Sequence, residues 1–227
     1  MEEMNSVNSE SAGAVSRASQ VLGHATSIMR EYRRTYIALN LAYYGTVAVA
    51  MVFVAFHPFI QQALIESVAL SFSEGPLASV AEAYTGGNVF EAGLLTFAVN
   101  FFAGTVVVLF VPSLLIPFGG VGIGLVRATL WGLLLAPTTR ELQLAMIPHA
   151  VTLLLEGQGY ILAMFATWVH GHALIKPGSV GATSHLQGWA KGIARSLWLY
   201  VLVEITLAIA AVYEAIEVIL IVPHLIN

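Results

Sequence analysis

The sequence contains no cysteine and no aspartate, and only 10% of its 227 residues are charged. Without cysteine, disulfides, thiolate metal sites and a cysteine nucleophile are all excluded. A soluble domain carries about 25% charged residues, so this chain lacks the polar surface that a water-soluble fold needs. Its residues are instead 58% hydrophobic, and the mean hydropathy is +0.81. The composition therefore predicts an integral membrane protein.

Five apolar stretches approach the roughly 20 residues that a helix needs to cross about 30 Å of hydrocarbon. They are residues 37–56, 92–116, 118–136, 146–173 and 197–222. The third contains an arginine and opens with the glycine-rich "PFGGVGIG", so it either spans fully or re-enters. We expect one all-α, polytopic domain over residues 37–222 with about five transmembrane helices. A polar segment, residues 1–36, precedes it, and a short tail, residues 223–227, follows it.

Two polar segments lie outside the predicted spans. Residues 1–36 lack the basic start and early apolar run of a signal peptide, and from about Gly13 they are expected to form an amphipathic surface helix. Residues 58–91 are expected to be extracytoplasmic and carry four glutamates without Lys or Arg. Their apolar residues recur at helical spacing and predict two short amphipathic helices, broken at Gly75–Pro76 and Gly86–Gly87.

The positions of the nine basic residues predict how the chain is oriented in the membrane. Seven of them lie in residues 17–34 and 176–195, which five spans place on one side, whereas Arg140 alone lies on the other. Basic residues concentrate in cytoplasmic segments. The N-terminus is therefore predicted in the cytoplasm and the C-terminus outside a bacterial cell membrane. No basic patch suggests a nucleic-acid partner, and the bilayer is the expected surrounding.

The fourth predicted span places most of its polar side chains on one face. At about 100° per residue, these side chains fall within about 80° of one another: His149, Thr152, Glu156, Tyr160, Thr167 and His170. This row must face protein or water, because a charged carboxyl group facing lipid costs about 2.5 kcal/mol or more. Glu156 lies near mid-membrane, so it is expected to be neutral or to have a cationic partner, for which Arg127 is the candidate.

Polar residues of other spans belong to the same predicted intramembrane core. The second span has Asn100, and the fifth has Glu204 and Glu214, whereas Glu217 is expected at the membrane interface. With a single arginine inside the spans, most of these glutamates have no cation within the monomer. The Glu–Arg pair either fixes helix packing, or lines a proton, ion or substrate path, or contacts another protein.

The sequence contains none of the common motifs for catalysis or metal binding. The spacing of His149 and Glu156 differs from the His-Glu-x-x-His zinc motif, and no Gly-x-Ser-x-Gly elbow occurs. The "HGH" at residues 170–172 is typical of interfacial polar residues, and "GGVGIG" favours close helix packing over phosphate binding. The sequence thus predicts a protein that is not an enzyme and has no metal or other cofactor.

Three segments resemble the stage II sporulation protein M family. Pro148-His149 followed by Glu156 is similar to its Pro-His-Gly…Glu signature, and "AIAAVYEAIEV", residues 208–218, to its closing Ala-Ala-x-x-Glu segment. Asn100 stands at an asparagine-rich start of the second span. The chain departs from the family pattern at Ala150, Val99 and Phe118-Gly119. The resemblance implies a helical membrane protein with an extracytoplasmic region after the first span, in a family whose founding member belongs to a peptidoglycan-remodelling complex.

Two functions are compatible with these features. In the first, the protein is a non-enzymatic subunit that forms a homo-oligomer or joins other membrane subunits of a cell-envelope or transport-associated complex. In the second, it is a transporter or channel that moves an ion or small substrate along the row from His149 to Glu156. Unpaired acids would favour transport, and pairing across subunits would favour assembly.

Overall fold

The computed structural model describes residues 19–75 and 77–226, and all regular elements in these ranges are helices. The eight main helices are α1 (residues 19–31), α2 (Arg33–Ala55), α3 (Pro58–Ser73), α4 (Ala78–Thr85), α5 (Val89–Ser113), α6 (Gly119–Leu135), α7 (Arg140–Ile175) and α8 (His185–Ile226). The predicted all-α class is confirmed. The surface helix was expected to begin at about Gly13. Its residues up to 18 lie outside the described ranges, and residues 19–31 are helical.

Four of the described helices are long and apolar enough to cross a membrane: α2, α5, α7 and α8. The third predicted span corresponds to α6, which has 17 residues. At about 1.5 Å per residue α6 is about 25 Å long, a little less than the hydrocarbon thickness. α8 has 42 residues and continues as a helix to Ile226, through most of the segment that was expected to be a tail.

The described residues of the two basic segments lie at the same end of the bundle, here named the N-terminal end. Glu31, at the end of α1, forms an ion pair with Arg195 of α8. Tyr32 packs edge-on against His172, with ring centroids 5.4 Å apart. The α5–α6 connection lies there too, because the Trp189 indole donates to the Leu114 carbonyl at 3.0 Å. The start of α2, the α5–α6 connection and the α7–α8 connection therefore lie at one end of the bundle. This arrangement agrees with five helices that cross it: α2, α5, α6, α7 and α8.

The opposite end of the bundle, named the hairpin end, carries α3 and α4. α3 ends at Ser73 and α4 begins at Ala78, and α4 ends at Thr85 before α5 begins at Val89. The helices are therefore separated where the sequence predicted breaks. The buried Gln61 of α3 donates to the carbonyls of Leu134 and Ala136, at 2.9 and 2.8 Å, and so caps the end of α6. Phe59 and Leu70 of α3 are 67% and 64% exposed, so the apolar face of α3 points away from the bundle.

Helix α7 is the centre of the bundle. Nearly every residue between Glu156 and Ala173 is buried, because α2, α5, α6 and α8 surround this helix. Small residues permit the close contacts, as expected for "GGVGIG". A Cβ atom on Gly120 would lie 2.7 Å from Thr167 Cγ2, and one on Gly124 would lie 2.5 Å from Met164 Cγ. The polar row of α7 is therefore held at the contacts between helices.

Candidate functional site

The polar row of α7 faces the interior of the bundle. The exposed fractions are 1% for Thr152, 4% for Glu156 and 0% for Tyr160, and Thr167 and His170 are also fully buried. Both functional hypotheses require this orientation, since a row facing lipid would leave ionisable groups in hydrocarbon. The row joins residues of α5, α6 and α8 in an intramembrane cluster, which consists of Asn100, Arg127, His149, Thr152, Glu156, Tyr160, Glu214 and Glu217.

Asn100 of α5 is the centre of hydrogen bonding in the intramembrane cluster. Its Nδ2 donates to Glu156 Oε1. Its Oδ1 accepts from the Tyr160 hydroxyl at 2.8 Å and from Arg127 Nη2 at 3.3 Å. The expected direct pairing of Arg127 with Glu156 is replaced by a bridge through this amide, since the two ion pairs within the described ranges involve other side chains.

Arg127 of α6 is surrounded by aromatic rings rather than by carboxylates. Its guanidinium carbon lies 3.8 Å from the centroid of the Tyr160 ring and 4.9 Å from that of Trp131. Its Nε is buried and has no hydrogen-bond partner among the described residues. Desolvated cation–π contacts are worth about 2 kcal/mol or more, so the rings contribute to holding this cation inside the membrane domain.

Glu156 and Glu214 bring two carboxyl groups together between α7 and α8. The two groups lie within hydrogen-bonding range of each other. A hydrogen bond between them needs a shared proton, because two ionised carboxylates offer only acceptors. The Oε2 of Glu214 is buried without a donor among the described residues. This pair is therefore the part of the intramembrane cluster that is suited to hold an exchangeable proton.

Glu217 is fully buried within the bundle, which the sequence analysis did not predict. His149 Nδ1 lies 2.5 Å from Glu217 Oε1, and the Thr152 hydroxyl donates to Glu217 Oε2 at 3.0 Å. At about 100° per residue, a residue three positions after Glu214 lies on nearly the same helix face. This spacing is the sequence signal that could have identified Glu217 as a member of the core.

A cavity of about 190 Å³ adjoins the intramembrane cluster at the hairpin end of the bundle. His149 and Glu217 form its polar wall, and the rest of the lining is apolar. The other lining residues are Leu135, Leu142, Ala145, Met146, Val218 and Val222. From this cavity the polar groups continue inward through Glu214, Glu156 and Asn100 to Arg127.

Two of the three helices that complete the intramembrane cluster, α5 and α8, contain π-helical turns there. In α5 the π-helix covers Val99–Phe110 and includes Asn100, and in α8 it covers Glu217–Ile221 and begins with Glu217. π-helical turns are rare and occur frequently at functional sites. A π-helical turn contains about one residue more than an α-helical turn, because its hydrogen bonds join residues i and i+5. The side chains that follow such a turn therefore point in a different direction from those of a continuous α-helix.

The structure does not bring Glu204 into the intramembrane cluster, although the sequence grouped it there. Its side chain is exposed on the outer face of α8. Conversely, a second polar group between α2 and α7 was not predicted. Gln158 accepts from the Tyr36 hydroxyl at 2.7 Å and donates to Asn40 Oδ1 at 2.7 Å and to the Tyr44 hydroxyl at 3.2 Å. The signal was present, since Gln158 and Asn40 are amides within predicted spans.

The two histidines of "HGH" have different surroundings. His170 is fully buried, and neither ring nitrogen has a hydrogen-bond partner within the described ranges. His172 stacks on Trp168 at the N-terminal end, with ring centroids 4.8 Å apart. Within the described part of the chain, no group of three or more His or Glu side chains is placed to hold a metal ion.

The helices and the intramembrane cluster together define a polytopic helical membrane protein with a buried ionisable core. No family model, curated protein or solved structure matches the chain. The resemblance to the stage II sporulation protein M family therefore stays a prediction that rests on the three segments described above.

Proposed function

We propose that this protein is a proton-coupled transporter or channel whose intramembrane cluster takes up and releases a proton. The observation that carries the proposal is the continuous row of ionisable side chains that runs from the cavity at His149 and Glu217 to Arg127 at mid-membrane. A row that served packing alone would need neither contact with a cavity nor adjacent carboxyl groups.

The charges of the intramembrane cluster support a proton as the exchanged species. Three carboxyl groups face one guanidinium and one imidazole, so full ionisation of all five leaves one excess negative charge. An uncompensated buried charge costs several kcal/mol. The neutral cluster thus holds one proton on a carboxyl group, and the Glu156–Glu214 pair has the geometry to share it.

The surroundings of the row support access from the hairpin end. The cavity at His149 lies at that end, whereas the buried residues of α7 toward the N-terminal end are mainly apolar, among them Ile161, Leu162 and Phe165. Transfer across the membrane then requires a second conformation that opens the other side. Under this proposal, the proton exchanges with the hairpin end in the conformation described above.

A second candidate function is that of a subunit in a cell-envelope or transport-associated membrane complex. One observation favours it: Glu204 is exposed on α8 within a predicted span. A carboxyl group at such a place is stabilised if another protein chain covers it. The resemblance to the stage II sporulation protein M family also favours this candidate, because its founding member works in a complex.

Proton flux in proteoliposomes tests the transport proposal. We expect the wild-type protein to acidify the lumen in response to an imposed potential, and Glu156→Gln to reduce the rate at least tenfold. Glu74→Gln is the matched control, because Glu74 is exposed between α3 and α4 and is expected to keep the wild-type rate. Wild-type flux equal to that of protein-free liposomes, with the protein correctly folded and inserted, would refute the proposal.

A further inference from the structure

His170 is a buried ionisable side chain that lies outside the intramembrane cluster. It belongs to the polar row of α7, about 21 Å beyond Glu156 along the helix and about 8 Å before the helix ends at Ile175. The residue is fully buried, and neither ring nitrogen has a hydrogen-bond partner among the described residues. Buried polar atoms almost always have a partner. An imidazole with two free nitrogens is therefore unusual and indicates a role beyond packing.

The surroundings of His170 supply no charge and no fixed hydrogen bond. The centroids of the Phe110 ring of α5 and the Trp189 ring of α8 lie 6.5 and 6.1 Å from that of the imidazole. The Ser113 backbone of α5 is close to the ring but outside hydrogen-bonding geometry. Among the described residues, no charged side chain of a neighbouring helix acts on the imidazole. A buried charge without a partner is unfavourable, so these surroundings favour the neutral ring.

Two free ring nitrogens are what a proton relay requires. A neutral imidazole has one N–H donor and one acceptor nitrogen, and a hydrogen bond to a fixed partner holds the ring in one tautomer. His149 is held in this way, because its Nδ1 bonds to Glu217. In His170 either nitrogen can accept a proton while the other releases one. The ring returns to its first state when the two nitrogens exchange roles.

We propose that His170 passes protons between the intramembrane cluster and the N-terminal end of the bundle. One ring nitrogen accepts a proton that comes from the Glu156–Glu214 pair. The other nitrogen releases its own proton toward the N-terminal end, so the ring is neutral before and after the transfer. This inference rests on the proton transport proposed above and deepens it, because it assigns a group in the half of the bundle that lies away from the cavity.

Buried hydroxyl groups lie between the intramembrane cluster and His170. They belong to Thr105 of α5, Thr167 of α7, and Ser196 and Tyr200 of α8. Each donates to a backbone carbonyl, at 2.6, 2.8, 2.7 and 2.9 Å respectively, and keeps lone pairs that can accept a hydrogen bond from water. Within the described ranges no hydrogen bond joins these hydroxyls to Asn100, so the route is interrupted in this conformation. The interruption agrees with the proposed access from the hairpin end, and a second conformation would close it.

Packing alone explains His170 less well than a relay does. An apolar ring would fill the same space between Phe110 and Trp189 without leaving two polar atoms unsatisfied. Replacement of a buried polar group that lacks a partner by an apolar group of the same shape is neutral or stabilising. If His170 served only packing, His170→Phe would therefore fold at least as well as the wild-type protein and keep its function.

Proton flux in proteoliposomes tests the relay with two variants. His170→Gln keeps a polar side chain that cannot take up a proton, and His170→Phe keeps a ring of similar shape. We expect each variant to reduce the flux at least tenfold. His185→Gln is the matched control, because His185 is exposed at the start of α8, at the same end of the bundle, and is expected to keep the wild-type rate. Wild-type flux in either His170 variant would overturn the inference.

Infrared spectroscopy distinguishes a relay from a structural role. A relay variant leaves the cavity and the Glu156–Glu214 pair in place. The carboxyl absorption that Glu156→Gln removes should therefore keep its wild-type pH dependence in His170→Gln. Loss of this signal together with the flux would show that His170 only supports the structure of the intramembrane cluster, and would overturn the relay.

Nitrogen NMR of the wild-type protein examines the ring without any flux measurement. With the signals of His170 assigned by comparison with His170→Phe, we expect exchange between the two tautomers. A single fixed tautomer would contradict the relay. Absence of flux from the wild-type protein refutes the transport proposal itself, whereas full flux in the His170 variants refutes the relay alone.

Discussion

Replacement of Asn100 by alanine removes the centre of the intramembrane cluster. The amide connects three helices, because it lies on α5 and binds Arg127 of α6 together with Glu156 and Tyr160 of α7. Alanine offers neither donor nor acceptor, and nothing in the surrounding bundle replaces the lost groups. Asn100→Ala is therefore expected to lower the free energy of unfolding and to separate Arg127 from Glu156.

The expected magnitude follows from the three bonds. Interhelical hydrogen bonds in a membrane protein contribute about 0.6 kcal/mol each on average, which gives about 1.8 kcal/mol for the three. Two of the partners, Glu156 and Arg127, are ionisable, and bonds to charged groups contribute about 1.5–3 kcal/mol each. We therefore expect Asn100→Ala to destabilise the protein by about 2–4 kcal/mol.

Reversible unfolding in mixed micelles, followed by circular dichroism, measures this difference. Asn40→Ala is the control, since Asn40 is also an amide in a span but makes a single interhelical bond, to Gln158, which keeps its bonds to Tyr36 and Tyr44. It should cost about 0.6–1 kcal/mol. If Asn100→Ala cost no more than this control, the amide would not organise the intramembrane cluster, and the reasoning would be wrong.

Three further changes have outcomes that the structure specifies. Thr152→Val removes a donor to a buried carboxylate and should cost about 1–2 kcal/mol in the same unfolding assay, whereas Thr167→Val, which loses only a bond within its own helix, should cost less. Gly132→Ala directs a methyl group at a backbone carbonyl of α2 and should destabilise the protein, but Gly122→Ala meets nothing within 4 Å and should be neutral or slightly stabilising. Burial raises the pKa of Tyr84, so this phenol should ionise at a higher pH than a free tyrosine, and ultraviolet difference titration against Tyr84→Phe measures the difference. Because the pKa is raised in the folded state, the contribution of Tyr84 to stability is complete below about pH 10 and is lost as the pH rises further.

Much of the membrane domain could be predicted because hydrophobic length and helical periodicity are local properties of the sequence. The inward orientation of the α7 row follows from the period of about 3.6 residues together with the cost of placing Glu156 in lipid. The breaks around α3 and α4 follow from glycine and proline in the connecting segments. These predictions needed no knowledge of which helices are neighbours.

The partners of each polar group could not be predicted in the same way. Asn100 lies in a π-helical segment, where the ordinary helical period no longer gives the direction of a side chain. On an ideal helix the side chains of Glu204 and Glu214 point in directions about 80° apart. The boundary between the buried and the exposed faces of α8 falls between these two directions. Only the packing of α5 against α8 determines that Glu214 is inside and Glu204 is outside.

The π-helical turns also provide a way for the loss of a proton to change the structure. If the proton that we propose to be shared leaves, Glu156 and Glu214 become two adjacent negative charges. Two unit charges about 4 Å apart repel by about 4 kcal/mol at an effective dielectric constant of about 20. That energy is comparable to the contribution of all the hydrogen bonds of Asn100. A shift of the α5 segment from π to α geometry would turn the following side chains by about 100° and move Asn100 relative to Glu156. Deprotonation would therefore act first on the helix segment that can reorganise without breaking the packing around α7.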